Sequence, residues 1–321
     1  MVTGTGGESH FDVAIIGGGP AGLAAAQVLG RQRRRVVLVD HHQGRNAAAS
    51  SVHMLLGREG MTPEGLILAG HQELSKFPTV SILSTEATKI LVEPLKISVS
   101  TRTAHKISAD YLILATGIVD KLPSIPGVDM AYGKCLFHCP LCEGFEVRDQ
   151  RLVVVGGSEK AAFMAAYVQD RISPDVELCC NGAPSFSRST RARLHRNHIR
   201  IIDDKVVGIE AQSDQLTLRL GSHEAMTYRA GFLSVPYRQR TPFAQELGCE
   251  MTDDGRVPVD HFQRTSVARV FAVGDMAKAW SATGNMTFVP VAVASGVTAA
   301  AFLDEDIFAR TWDSQGISWG S

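Results

Sequence analysis

Two stretches of this chain each dictate the same local path. Residues 11–16 (FDVAII) are an apolar run with β-branched members that leads straight into Gly17-Gly18-Gly19. A helical pattern follows from Pro20 to about Gly30, and residues 36–39 (VVLV) form a second buried strand ending at Asp40. Strand, glycine turn, helix and strand make a βαβ unit. The pattern recurs over a hundred residues later. Residues 151–155 (RLVVV) read as a strand, Gly156-Gly157-Ser158 as a turn, residues 159–169 as a helix and residues 176–179 (VELC) as the next strand. Two such units so far apart imply two nucleotide-fold domains.

Their boundaries are legible. Residues 111–115 (YLILA) form a strand closing at Thr116-Gly117, followed by a link rich in Pro and Gly at residues 121–127. A second polar, Pro-bearing link occupies residues 236–242 (PYRQRTP). Beyond it come a strand at 270–273 (VFAV) ending at Gly274-Asp275 and a helix from about Pro290 to Leu303. The expected fold is α/β, with two Rossmann-like three-layer domains, the second inserted in the first. The division falls at residues 1–119 and 241–321 for the outer domain and 120–240 for the inserted one.

Gly17-x-Gly19-x-x-Gly22 follows a strand and opens a helix, the context that a dinucleotide-binding turn requires. Gly17 permits the tight turn, Gly19 lets a pyrophosphate approach the backbone, and Gly22 allows close helix–strand packing. Free N–H groups and the dipole at the helix start attract phosphate. Asp40 stands where it can accept hydrogen bonds from ribose hydroxyls. The bland alternative is a glycine turn with no ligand; strand, helix and acidic residue together argue against it. The loop alone does not choose between FAD and NAD.

Composition narrows the partners. The 32 Lys and Arg nearly balance the 33 Asp and Glu, for a net charge of −1. Such balance argues against a general nucleic-acid or anionic-membrane binder. The opening MVTGTGGESH lacks the layout of a secretory signal, and no apolar run approaches the roughly 20 residues that span a bilayer. A cytoplasmic location is expected. In a reducing compartment, a close pair among the six cysteines points to catalysis or metal binding.

That pair is Cys139-Pro140-Leu141-Cys142. Structural zinc would want a second pair, and Cys179-Cys180, adjacent in a strand, are poor partners. A mixed site drawing on Cys135 and His138 stays open, as does an inert buried pair. A redox disulfide fits better, because a CxxC closes a small ring whose potential can be tuned, and a helix start stabilises its thiolate. His138 before the pair and Glu143 and Glu146 after it could serve as acid or base.

The ordered set GGGPAG near the start, LATG at 114–117, CPLCEG at 139–144, GGS at 156–158 and FAVGD at 271–275 resembles the low-molecular-weight thioredoxin reductase family over nearly the whole chain. The resemblance implies FAD as cofactor and no metal. It places Gly17, Gly19, Pro20, Ala21, Gly22, Asp40, Arg45, Asn46, His53, Thr116, Gly117, Gly274, Asp275, Val289 and Pro290 at the FAD. The helix beginning near Pro290 would aim its positive end at the flavin N1 and C2 carbonyl. Cys142 would face the flavin and Cys139 the external thiol, with dimerisation expected.

Departures from the family are equally informative. Its second turn reads GxGxxA, but here Ser158 stands at the third key position and Glu159 adds negative charge. The His-Arg-Arg cluster that clamps NADPH in the family is matched by Cys180-Asn181-Gly182, which carries no cation. Arg188, Arg191 and Arg193 could compensate only if a loop folds back. Weak or absent NADPH binding follows, with a changed nucleotide preference as the alternative. FHCPLCEG and Arg45-Asn46-Ala47 resemble the branch of dithiol oxidases that close disulfides in gliotoxin, holomycin and romidepsin. Several members carry His after the second cysteine, so the proton acceptor stays open between Glu143 and His138.

The expected activity is FAD-dependent closure of a small-molecule dithiol, with O2 as acceptor and H2O2 as product. Rivals are a thioredoxin reductase driven by NAD(P)H or ferredoxin, and a flavin-binding redox sensor. Residues 50–59 and 280–288 could line the cleft, with His53 foremost.

Overall fold

The computed structural model describes residues 9–212, 214–279 and 286–314, residues 313 and 314 as backbone alone. The chain divides into two compact units, one of Met1–Arg45, Pro63–Val119 and Arg238–Ser321, the other of Asn46–Thr62 and Asp120–Tyr237.

The first unit opens with β1 (Ser9–Ile16), α1 (Pro20–Arg31), β2 (Val36–Asp40), α2 (Pro63–Leu74), β3 (Val80–Ser84), β4 (Ala87–Val92), β5 (Ile97–Thr101) and β6 (Lys106–Leu114). Strand β7 (Ile118–Asp120) leads into the second unit. There follow α3 (Val128–Ala131), β8 (Leu136–Phe137), α4 (Pro140–Glu143), β9 (Leu152–Val155), α5 (Glu159–Arg171), β10 (Val176–Cys179), α6 (Arg188–Arg196), β11 (Arg200–Ile202), β12 (Val206–Gln212), β13 (Gln215–Leu220), β14 (Met226–Tyr228) and β15 (Ala230–Leu233). After β16 (Tyr237–Gln239), the first unit is completed by α7 (Phe243–Glu246), β17 (Val257–Val259), β18 (Val270–Ala272), β19 (Ala277–Ala279) and α8 (Val289–Ser314).

The first unit's sheet runs β3-β2-β1-β6 in parallel, and β18 pairs with the C-terminal half of β6. The N-terminal half of β6 pairs antiparallel with β5, which continues to β4. Alternate residues of β1, Val13 and Ile15, pack against α1, α2 and α8, while Ala14 and Ile16 are buried on the other face. Burial on both faces is why these strands read as continuous apolar runs. Helix α1 is lined with small residues, Ala21, Gly22 and Ala24 to Ala26, so α8 can approach its backbone. A Cβ on Gly296 of α8 would lie 2.1 Å from the carbonyl oxygen of Ala21.

The second unit holds a parallel sheet in the order β11-β10-β9-β15-β8. One face carries α5 and α6 over Leu152, Val154, Leu178 and Phe232. The other packs Val153, Val155 and Leu233 against the antiparallel meander β12-β13-β14 and α3. Both glycine turns leave the carboxyl ends of parallel strands, β1 and β9, and the CxxC follows β8. In open α/β sheets ligands gather at these ends.

The structure departs from the sequence reading in two places. Helix α8 extends to Ser314, beyond the expected end near Leu303. Residues 46–62, expected to stay with the first domain, belong to the second unit. Their contacts explain this: Ala48 backs onto Gly133, where a Cβ would meet its carbonyl oxygen at 2.7 Å, and His53 reaches Glu146. Asn46 and His53 therefore lie in the second unit.

Replacing Gly296 by Ala forces α8 away from α1. The expected cost is about 2 kcal/mol, seen as a fall of roughly 4–8 °C in the melting temperature of the FAD-loaded protein. An unchanged melting temperature would show that the helices can part freely.

Candidate active site

The first glycine turn is shaped by close approaches. Gly17 has φ +109°, and a Cβ there would lie 2.3 Å from the Ala115 carbonyl oxygen. A Cβ on Gly22 would lie 1.9 Å from the oxygen of Gly17. Gly19, the residue capping α1, has nothing within 4 Å of its would-be Cβ and makes no side-chain cap, so the α1 start opens onto free space. Pro20 and Ala21 form the first turn, where Pro lacks only an N–H that has no helical partner. Asp40, buried at the end of β2, abuts Gly18, and its carboxylate pairs with His42 at 3.1 Å. An open donor-rich turn beside a buried carboxylate fits the pyrophosphate and ribose of a dinucleotide.

The other expected contacts of this unit converge on one turn. Gly274, at φ +71°, donates its N–H to Ser295 Oγ on α8 at 2.9 Å, and that hydroxyl donates to the Ala292 carbonyl at 2.8 Å. Asp275 accepts from Arg45 at 2.9 Å, both side chains largely buried. Thr116 donates its hydroxyl to Met276 Sδ at 3.3 Å, and Gly117 has φ +67°. Val289 and Pro290 open α8. Residues 280–285 of the segment expected to line the cleft lie outside the described residues.

The second glycine turn has the same path and a different mouth. Gly156 donates to the Cys179 carbonyl as Gly17 does to that of Val39, so Cys180 takes the place of Asp40. Ser158 replaces Gly19, and its hydroxyl caps α5 by accepting the Ala161 N–H at 3.2 Å. The following loop folds over the turn: Pro184 Cα lies 3.2 Å from where a Gly157 Cβ would be, and Ser185 donates its N–H and hydroxyl to the Gly157 carbonyl. Glu159 fastens that loop by accepting the Ser187 N–H at 2.6 Å and the Thr190 hydroxyl at 2.8 Å. The Ser187 N–H and the Thr190 hydroxyl hold its carboxyl below the usual range. Arg191 pairs with Asp203 at 3.2 Å and lies over the Phe186 ring.

Cys139 and Cys142 are joined in a disulfide. Cys139 caps α4, its sulfur accepting the Cys142 N–H at 3.1 Å, and Pro140 takes the first helical position. Gly144 is required by the next turn, where a Cβ would lie 2.3 Å from the Pro140 carbonyl oxygen. Around the pair, Leu141 is 57% exposed and Phe145 70%. Glu143 faces His53, and one ligand atom each from His53, Glu143 and Glu146 lies within 4.8 Å of the others. Burial pushes the Glu143 carboxyl up, with Glu146 adding to the rise and His53 opposing it. His138 stacks instead toward the Tyr132 ring at 6.0 Å, and Tyr132 donates to Asp120.

Sequence reasoning missed three contributors. Glu59 holds His53 Nδ1 at 2.5 Å, and His42 and His71 flank Asp40, their rings 5.8 Å apart. Burial, then the neighbouring His42, lowers the pKa of His71. His42 stands two residues past Asp40 and could have been noted. The approach of His71 depends on where α2 packs, and no local signal carries that.

A dinucleotide seat on one unit and an exchangeable sulfur pair on the other define a disulfide oxidoreductase. Residues 11–296 match the pyridine nucleotide-disulphide oxidoreductase family, and the chain belongs to it, as an FAD flavoprotein of thioredoxin reductase-like type. It is 32% identical to "Thioredoxin reductase tcpT" of Claviceps purpurea, over 82% of this chain and 86% of that protein. The solved structure of HlmI superposes with a TM-score of 0.88 at 31% identity, covering 98% of this chain and 97% of HlmI. The putative thioredoxin reductase TrxB of Bacillus anthracis gives 0.86 at 29%, covering 94% and 99%. Among the described residues no helix is long and apolar enough to cross a membrane.

The remaining thiols, Cys135, Cys179, Cys180 and Cys249, are buried, and burial raises all four, Cys180 to about 12. Because the thiolate is the reacting form, iodoacetamide applied near neutral pH to the reduced, folded protein should label Cys139 and Cys142 alone. Mass mapping that finds Cys180 labelled would contradict its placement.

Proposed function

We propose that this chain is an FAD-dependent dithiol oxidase that closes an intramolecular disulfide in a small-molecule dithiol, with O2 as final acceptor and no need for NADPH. The observation carrying this reading is the second glycine turn, where Ser158 caps α5 with its own hydroxyl and Glu159 is tied to Ser187 and Thr190. A pyrophosphate there would meet the Ser158 side chain and the Glu159 carboxylate at the start of α5. The ribose-binding acid is replaced by Cys180, and Arg191 is engaged by Asp203. Electrons must then enter through the sulfur pair. The likeness to HlmI and tcpT supports the dithiol-oxidase branch that the sequence motifs resemble.

In this reading Gly17, Gly19, Pro20, Ala21 and Gly22 hold the FAD pyrophosphate, Asp40 the ribose, and Arg45, Thr116, Gly117, Gly274, Asp275, Val289 and Pro290 the remainder. Bound FAD supplies the two-electron acceptor that restores the disulfide and whose reoxidation by O2 yields H2O2. The chain's own residues conduct the sulfur exchange. A substrate thiolate attacks Cys139 Sγ; a substrate–Cys139 bond forms, the Cys139–Cys142 bond breaks, and the electron pair leaves on Cys142. The second substrate thiolate then attacks the first substrate sulfur, releasing Cys139 thiolate and cyclic product. Two electrons pass to the enzyme and two protons are shed, one of them to Glu143, beside Cys142. Exposed Leu141 and Phe145 favour an apolar substrate.

The names of several relatives favour a thioredoxin reductase instead, which would need a working nucleotide seat or another electron donor. Oxygen uptake with a cyclisable dithiol decides. It should proceed equally with and without NADPH and fall by at least about a thousandfold in Cys139→Ser or Cys142→Ser, both remaining yellow and folded. Bleaching of the flavin by stoichiometric NADPH without oxygen would overturn the proposal.

A further inference from the structure

His53 lies in the loop 46–62, closed by the Val52–Met61 bridge, and its side chain is only 12% exposed. Nδ1 is fixed by Glu59 at 2.5 Å. Glu59 is itself fixed, its second oxygen accepting the Met54 N–H at 2.9 Å. Nε2 is fully buried and has no hydrogen-bond partner, with Glu146 at 3.8 Å and Glu143 in the same cluster. A buried ring nitrogen without a partner is costly. A ring clamped at one end and aimed at two carboxylates at the other is built to influence them.

We propose that His53, clamped by Glu59, is a positioning residue that keeps Glu143 available to take up and release protons beside the Cys139–Cys142 disulfide. The inference rests on the sulfur chemistry proposed above, in which Glu143 receives a proton from the attacking dithiol. Glu143 follows Cys142 directly, and burial together with Glu146 favours its protonated form, useless for accepting a proton. The His53 cation offsets this. Burial alone would discharge His53, but the Glu59 hydrogen bond and then the charges of Glu146, Glu143 and Glu59 outweigh it and raise its pKa. Among the described residues these are the titratable groups that act on His53. Arg148, on the same stretch, is engaged with the Phe145 carbonyl and ring. Loss of the cation therefore raises Glu143 further, so the base form survives only at higher pH.

The test is the pH dependence of disulfide reduction in the FAD-loaded protein. Dithiothreitol is added without oxygen, and reduced Cys139 and Cys142 are trapped by alkylation. This readout needs neither O2 nor multiple turnover, so it stands even if the oxidase reading fails. The wild-type rate should fall on an acid limb set by Glu143. In His53→Gln that limb should move up by about one pH unit, roughly a tenfold rate loss on the limb. Glu59→Gln, a surface change, should move it the same way by less, and serves if the His53 variant does not fold. Glu143→Gln should remove that limb and leave only the pH dependence of dithiothreitol's own ionisation, and adding His53→Gln should then change nothing further. A limb that stays in place in both His53→Gln and Glu59→Gln, or that still moves with His53 in the Glu143→Gln background, overturns the proposal.

Discussion

The contact on which the first unit depends is the approach of α1 to the end of β1, where Gly22 meets the Gly17 carbonyl at a distance no side chain could tolerate. That contact points the N–H groups of α1 into an open mouth and leaves Asp40 buried beside it. From it follow the small-residue face of α1, the fit of Gly296 on Ala21, and the hold of Ser295 on the Gly274 turn. Such geometry presents backbone N–H groups to an open face that a phosphate can approach.

The second unit repeats the path and puts the donors to another use. Ser158 satisfies the α5 start with its own hydroxyl, as helix caps commonly do. Glu159 binds the start of α6 as an external anion would. The same sheet carries the strand β8 and the sulfur pair that follows it.

The sequence made the parallel strands legible because burial on both faces writes them as unbroken apolar runs, as in VVLV and LVVV. The meanders were not drawn from it. β13 (QLTLRL) alternates as a half-buried strand should, but its pairing with β12 and β14 depends on contacts that no single segment announces. The cysteine pair and Glu143 were readable because they are contiguous. His53 and Glu143 are ninety positions apart, and their meeting is fixed by the way the loop 46–62 lies over the second unit. The second turn was half legible: Ser158 and Glu159 stood out in the sequence, and a loop folding back after β10 was named there, but its hydrogen bonds to Gly157 and Glu159 depend on contacts that no local signal carries.

The first unit draws on segments far apart in the chain, since Gly296 of α8 backs Ala21 of α1 and Ser295 of α8 holds the Gly274 turn. Ribosomal synthesis delivers these parts in a fixed order. The inserted unit ends at Tyr237, so it has emerged whole while the first still lacks β18 and its closing helix. Domains condense as they become complete. The sulfur-bearing unit can therefore fold ahead of the first unit, which gains its backing only once α8 has been made.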